Sequence, residues 1–312
     1  MSRAIVFPGQ GAQSVGMGRE LALAFPAARY VFQEVDEALK QKLSKLMWEG
    51  PEGDLTLTEN AQPALMAVSL AVVRVLDEQG NWKLAEKASF VAGHSLGEYS
   101  ALAAAGSFSL GDAARLLKTR GLAMQKAVPV GRGAMAALLG VDIDQARQIA
   151  AEAAQGEVCE AANDNAPGQV VVSGDKAAVE RAIAVAAAKG FKRAMLLPVS
   201  APFHCALMQP AAEVMAEALS RVALRPPVVP VVANVTAAPV TDPDEIRSLL
   251  VAQVTGTVRW RECVLAMKEK GVDALVEVGA GKVLAGLAKR IDKEIAATSL
   301  HTPADIEAFL KV

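Results

Sequence analysis

The stretch VAGHSLGEYSALAAAG, residues 91 to 106, limits the fold more than any other. A short apolar strand, about Ala88 to Ala92, runs into a tight turn at Ser95 and then into a helix of small residues. Gly93 and Gly97 flank the serine as G-x-S-x-G. A serine on a sharp strand-to-helix turn takes a strained backbone conformation, so its neighbours must lack side chains. The helix that follows aims free backbone N–H groups at the serine, which favours negative charge developing there. An ordinary glycine-bounded turn has the same spacing. The strand before it and the helix after it favour a nucleophilic serine with its oxyanion hole partly built in.

The rest of the chain supplies the sheet that such an elbow needs. RAIVF (3 to 7) is a continuous apolar run ended by Pro8-Gly9, and DALVEVG (273 to 279) is another. Runs of this kind read as parallel strands buried on both faces. VVPVVAN (228 to 234) and residues 295 to 299 are further strands. Helices are expected at about 18 to 40, 60 to 79, 109 to 128, 242 to 254 and up to Lys270. The fold class is α/β: an α/β-hydrolase-like large domain with a mostly parallel sheet covered on both faces.

Residues 130 to 197 change character. Strand-like GAMAALLG, a helix from Asp142, strand-like EVCEAA, a loop NDNAPG, strand QVVVSG, a helix from Asp175 and strand KRAMLLP follow one another. That order is βαββαβ, the ferredoxin-like pattern. It divides the chain into a first part of the large domain (1–128), an inserted ferredoxin-like small domain (129–197) and a second part of the large domain (198–312).

The chain has 312 residues and a net charge of -2, which gives no global signal for nucleic acid or membrane. The longest apolar stretch, 61 to 73, stops at Arg74 and fits a buried helix better than a membrane span. The apolar run before Pro8 is too short for a signal peptide. Cys159, Cys205 and Cys263 form no metal or CxxC pattern. A soluble cytoplasmic protein is expected. The loop PGQGAQSVGMG (8 to 18) lies where open α/β sheets bind ligands, yet lacks the phosphate-loop pattern. It reads as a loop offering N–H groups to the site. GAGK (279 to 282) reads as a strand-to-helix turn.

A serine nucleophile needs a base. His94 is adjacent to Ser95, where consecutive side chains diverge, so it suits a pocket wall better than a base. His204 sits between Pro202 and Pro210; His301 sits near the C-terminus, where an α/β-hydrolase places its triad histidine. By order alone, Ser95–Asp273–His301 rivals Ser95–His204.

FPGQGAQ at the first strand, GHSLGEYSAL at the elbow and APFH at 201 to 204 together resemble the malonyl-CoA:acyl carrier protein transacylases of fatty-acid synthesis. GAMAALLG, NAPGQVVVSG and TVRW match that family too, so the likeness runs nearly end to end. The resemblance implies roles. Ser95 attacks the malonyl thioester, and His204 is its base, held through its other nitrogen by the backbone carbonyl of Gln253. The N–H groups of Gln10 and Leu96 hold the oxyanion, and Arg120 clamps the malonyl carboxylate. A guanidinium pairs bidentately with a carboxylate, as lysine cannot. Phe203 matches the malonyl-selective form of its loop, and Asn163 a residue near the pantetheine arm. His94 and Met124 complete the expected lining.

The implied reaction is ping-pong, from malonyl-CoA to Ser95 and then to the phosphopantetheine thiol of acyl carrier protein, with no cofactor. A monomer is expected, with no nucleic-acid or membrane partner. The acidic carrier should meet a basic patch, either Lys189, Lys192 and Arg193 or Lys282, Lys289 and Arg290. Three other readings stay open: a serine hydrolase using His301, a carrier-docking module with a vestigial site, and an acyltransferase of polyketide assembly or of malonate decarboxylase.

Overall fold

Strand β1 (Arg3–Phe7) is followed by α1 (Arg19–Ala24), α2 (Pro26–Leu39), α3 (Leu43–Glu49), α4 (Glu52–Thr56), the long α5 (Thr58–Gly80) and the short α6 (Leu84–Lys87). β2 (Phe90–Gly93) passes through Ser95 into α7 (Gly97–Ala104), and α8 (Leu110–Ala127) follows. Next come β3 (Gly133–Leu139), α9 (Ile143–Ala154), β4 (Cys159–Ala166), β5 (Gln169–Asp175), α10 (Lys176–Ala188) and β6 (Arg193–Leu196). A 3-10 turn (Ala206–Met208) then leads into α11 (Gln209–Ser220), β7 (Val231–Val232), β8 (Pro239–Val240), α12 (Pro243–Thr255) and α13 (Trp260–Glu269). β9 (Ala274–Val278), α14 (Val283–Ile291), β10 (Ala296–Leu300) and α15 (Pro303–Leu310) complete the chain. This computed structural model describes residues 2–311.

Six strands form one sheet in the order β10-β9-β1-β2-β7-β8. All neighbours are parallel except β7 and β8. In β1, Ile5 and Phe7 enter the core shared with α2, α5, α7 and α8, while Ala4 and Val6 enter the core shared with α13 and α14. Successive strand side chains point to opposite faces, so a strand covered on both sides must be apolar throughout. α5 is deeply sunk, buried from Asn60 through Ser69. No helix among the described residues is long and apolar enough to cross a membrane.

The elements between Gly133 and Leu196 form a second, antiparallel sheet in the order β4-β5-β3-β6. Ala136 and Leu138 of β3 meet α9 and α10, while Met135 turns toward the main core. The outer edge of β4 is tied to the chain before α13: Asp164 N–H donates to the Val258 carbonyl at 2.9 Å, and Val258 N–H to Ala162 at 2.8 Å. Arg261 pairs with the buried Asp164 carboxylate at 2.8 Å across the same seam.

Three expectations are corrected here. The helix expected at 18 to 40 is broken at Phe25, which is extended (φ −128°, ψ 120°) because Pro26 disfavours the helical region for the residue before it. NDNAPG is a loop only at Pro167-Gly168; Asn163 to Ala166 continue β4, with register shifts at Ala161/Asn163 and Asp164/Ala166. Pairing with β5 (Asn163 with Val171, Asp164 with Val170, Ala166 with Gln169) extends the strand where composition suggested a turn, and Val258 bridges Asn163 on the other edge. The strand expected at 228 to 234 is only Val231–Val232, next to Pro230.

Candidate active site

The site is built where β2 ends. Ser95 adopts the left-handed region (φ 54°), which costs a residue other than glycine on the order of 1–3 kcal/mol. Its neighbours make the turn sterically feasible. A Cβ on Gly93 would lie 1.9 Å from the Gly97 backbone, and one on Gly97 would lie 2.3 Å from the Phe7 carbonyl. The strain is held by hydrogen bonds. Ser95 N–H donates to Asn234 Oδ1 at 2.8 Å, and the Ser95 carbonyl accepts from Gln253 Nε2 at 3.0 Å.

Two elements distant in sequence bring chemistry to the hydroxyl. Ser95 Oγ lies 2.7 Å from His204 Nε2, and His204 Nδ1 lies 2.9 Å from the Gln253 backbone carbonyl. A carbonyl only accepts, so Nδ1 carries the proton and Nε2 is the acceptor. His204 is itself left-handed (φ 58°) and 4% exposed. Burial, and then the facing charge of Arg120, hold its pKa down to about 3. The imidazole is therefore neutral and able to take a proton at ordinary pH.

From α8, Arg120 reaches the other side of Ser95. Its Nη2 donates to Ser95 Oγ at 3.2 Å and to Gln253 Oε1 at 2.9 Å; its Nη1 donates to Gln62 Oε1 at 2.8 Å. The guanidinium is 1% exposed and lies 5.7 Å from the Tyr99 ring centroid. Its buried Nε has no partner among the described residues. A buried cation with an unsatisfied donor is a candidate partner for an anionic group.

His301 is not part of this constellation. Its Nδ1 lies 3.1 Å from Asp305 Oδ2, on its own side of the molecule's last helix. Asp273 precedes β9, and Arg3 pairs with Ala274 while Phe7 pairs with Gly93. In parallel strands this puts Asp273 at the opposite end of the sheet from Ser95. The Ser95–Asp273–His301 arrangement is thus excluded by register.

A neutral imidazole on a serine, with a buried arginine beside the same oxygen, is an acyl-transfer geometry. The acyl transferase domain family matches residues 4–300 of this chain. The chain belongs to the acyl transferase family. Malonyl CoA-acyl carrier protein transacylase of Escherichia coli (strain K12) is 46% identical over 309 residues, covering 99% of both chains. The Bacillus subtilis (strain 168) protein of the same name is 44% identical, covering 99% of this chain and 96% of its own. Among solved structures, the acyl-carrier-protein-S-malonyltransferase of Bartonella henselae superposes with a TM-score of 0.97 at 57% identity, covering 100% of this chain and 99% of that one. A type II PKS acyl-carrier protein in complex with its malonyl-transacylase matches with a TM-score of 0.96 at 44% identity, covering 100% and 99%.

The remaining expected residues of this acyl transferase take the following positions. Leu96, buried at the start of α7, directly follows the nucleophile. Gln10 sits in the loop after β1, and His94 N–H donates to the Phe7 carbonyl at the end of that strand (3.0 Å). The Gln10 side chain accepts from Thr58 Oγ1 at 2.8 Å. Met124 is buried, with its sulfur 3.8 Å from Gln62 Nε2. Phe203 is buried next to the histidine. Asn163 is buried within β4 rather than on a loop. His94 bonds Asn165 Oδ1 at 2.8 Å through Nε2 and packs on Trp260 with ring centroids 5.8 Å apart.

Gln62, Glu98, Asn165 and Asn234 were not singled out from sequence. Gln62 had a signal: it is a lone amide in the apolar run 61 to 73. Asn234 had none, because its contacts span 139 positions. The GAGK turn is closed to anions, since the buried Glu277 carboxylate already accepts from the N–H groups of Leu284 and Ala285 at the start of α14.

Proposed function

We propose that this chain transfers a malonyl group from malonyl-CoA to the phosphopantetheine thiol of an acyl carrier protein, in ping-pong order through a malonyl ester on Ser95. The observation that carries this reading is that one oxygen, Ser95 Oγ, lies within reach of both a neutral His204 and the buried Arg120. The names of the full-length relatives support the same reaction.

In the first half, the malonyl carboxylate takes the free Nε of Arg120 together with an Nη donor. This draws the guanidinium away from Ser95 Oγ and leaves the oxygen's lone pairs for attack. His204 Nε2 takes the hydroxyl proton as Oγ bonds to the thioester carbon. The N–H groups of Leu96 and Gln10 hold the oxyanion; one such donor typically contributes ~3 kcal/mol in the transition state. The C–S bond then breaks, and the thiolate of CoA leaves with the proton from His204. In the second half, the carrier thiol gives its proton to His204 and attacks the ester, regenerating Ser95. The reaction as written needs no metal or redox cofactor. Burial of Arg120 and His204 keeps water scarce at the ester, which favours transfer over hydrolysis.

The second sheet serves as a ferredoxin-like small domain, residues 129–197, forming one wall of the cleft; its strand order and two helices support that description. The carrier docks beside Lys282, Lys289 and Arg290. The Gly281 turn before Lys282 abuts Ala12 in the loop after β1, whereas Lys189 of the other cluster is already paired with Glu152 at 2.8 Å. The enzyme works as a monomer in the cytoplasm and supplies fatty-acid elongation. The likeness to a polyketide carrier complex favours polyketide assembly as a second context.

The test separates the half-reactions. Protein acylated with labelled malonyl-CoA and freed of CoA should pass its label to added carrier bearing phosphopantetheine. Label that stays on the protein, or appears only as free malonate, would count against a carrier as the acceptor.

A further inference from the structure

Glu98 lies in the first turn of α7, three residues after Ser95, and is 1% exposed. A carboxylate is rarely buried without a task. Its Oε2 accepts from Asn234 N–H at 3.0 Å and from Gln253 Nε2 at 2.9 Å. Those two residues are the ones that grip the elbow. Asn234 takes the Ser95 N–H on Oδ1 and donates Nδ2 to the Gly93 carbonyl at 2.8 Å. Gln253 donates Nε2 to the Ser95 carbonyl, and its own carbonyl holds His204.

The Gln253 amide also lies between opposite buried charges. Its Oε1 accepts from Arg120 while its Nε2 faces Glu98. A positive neighbour at the oxygen and a negative one at the nitrogen fix the amide in one orientation. Reversed, it would present a donor to Arg120 and an acceptor to the Ser95 carbonyl, and the elbow would lose a bond. Among the described residues, Arg120 itself bonds only neutral oxygens: Gln62, Gln253 and Ser95.

We propose that Glu98 is a positioning residue: through Asn234 and Gln253 it holds Ser95 in the left-handed elbow, and it is the buried counter-charge of Arg120 while the site is empty. Burial pushes its carboxyl up to about 7, and the groups that pull it back toward the charged form are Asn234, Gln253 and Arg120, the three it serves. The proposal rests on the acyl-transfer reading of Ser95 only for its charge arm.

Two variants separate the parts. Glu98→Gln keeps an acceptor oxygen for Asn234 and Gln253 and removes the charge; Glu98→Leu removes both. The first readout is labelling of Ser95 by the uncharged phenylmethanesulfonyl fluoride at about pH 8, where the carboxylate is ionised, normalised to folded protein. This readout needs neither malonyl-CoA nor Arg120. Glu98→Leu should label at least about tenfold more slowly, a loss of ~1.4 kcal/mol, and Glu98→Gln should stay within about threefold of the wild type. The second readout is the malonyl-CoA KM. Glu98→Gln should lower it at least about threefold, because Arg120 then lacks a competing anion, with the acetyl-CoA KM unchanged.

Wild-type labelling in Glu98→Leu, or a loss that only tracks the folded fraction, would overturn the positioning role. If Glu98→Leu does not fold, Glu98→Gln decides: an unchanged or raised malonyl-CoA KM would overturn the charge role. Wild-type protein that labels with the sulfonyl fluoride yet accepts no malonyl group would count against the transferase reading and leave the positioning result standing.

Discussion

Gln253 presents its backbone carbonyl to His204 Nδ1 at 2.9 Å, in the place where Ser-His-Asp triads put a carboxylate. A carbonyl fixes the tautomer and the ring plane as a carboxylate does. It carries no full charge, so it does less to stabilise an imidazolium. Burial and Arg120 push the same way, so the ring rests neutral, as the proposed base must.

This has a measurable consequence. The folded-state pKa of His204 is depressed from the usual 6.5 to about 3, so the ring stays unprotonated as pH falls through 6 and 5. NMR of the protein with labelled histidine, with His204 assigned by its loss in His204→Ala, should show no titration of that ring between about pH 8 and 5. A midpoint near 6.5 would contradict the neutral-base geometry.

On the proposed reading Arg120 sets selectivity, because its buried guanidinium pairs with the carboxylate of an acidic acyl group and finds no such partner in a neutral one. Arg120→Ala should cut kcat/KM for malonyl-CoA about a hundredfold, or ~2.7 kcal/mol. The acetyl-CoA value should change by less than about threefold. Equal losses for both donors would remove the clamp and leave Arg120 a structural cation under Tyr99.

What the sequence showed and what it hid follow from range. β1 and β9 were legible because burial on both faces forces an unbroken apolar run. The elbow was legible because Gly93, Ser95 and Gly97 are local and sterically obligatory. His204 and Gln253 had to be placed by resemblance; nothing local links them to a serine 109 positions before the histidine. Glu98 stood inside the recognised motif yet passed unnoticed, because its partners lie 136 and 155 positions away. Asn163 to Ala166 read as a loop because Asn, Asp and the Pro-Gly that follows are turn residues; pairing with β5, and a bridge from Asn163 to Val258 beyond α12, keep them extended. Pro26, by contrast, is a local signal that the helical periodicity of 18 to 40 concealed.

In the proposed function Ser95, whose Oγ lies between His204 and Arg120, carries the acyl group. Intact-mass spectrometry after brief mixing with malonyl-CoA tests this most directly. The account predicts one added malonyl mass on the wild type and none on Ser95→Ala. On His204→Ala the adduct should form about 10²–10⁴ times more slowly, and on His301→Ala at the wild-type rate. An unmodified wild type, or an adduct that persists in Ser95→Ala, would contradict it.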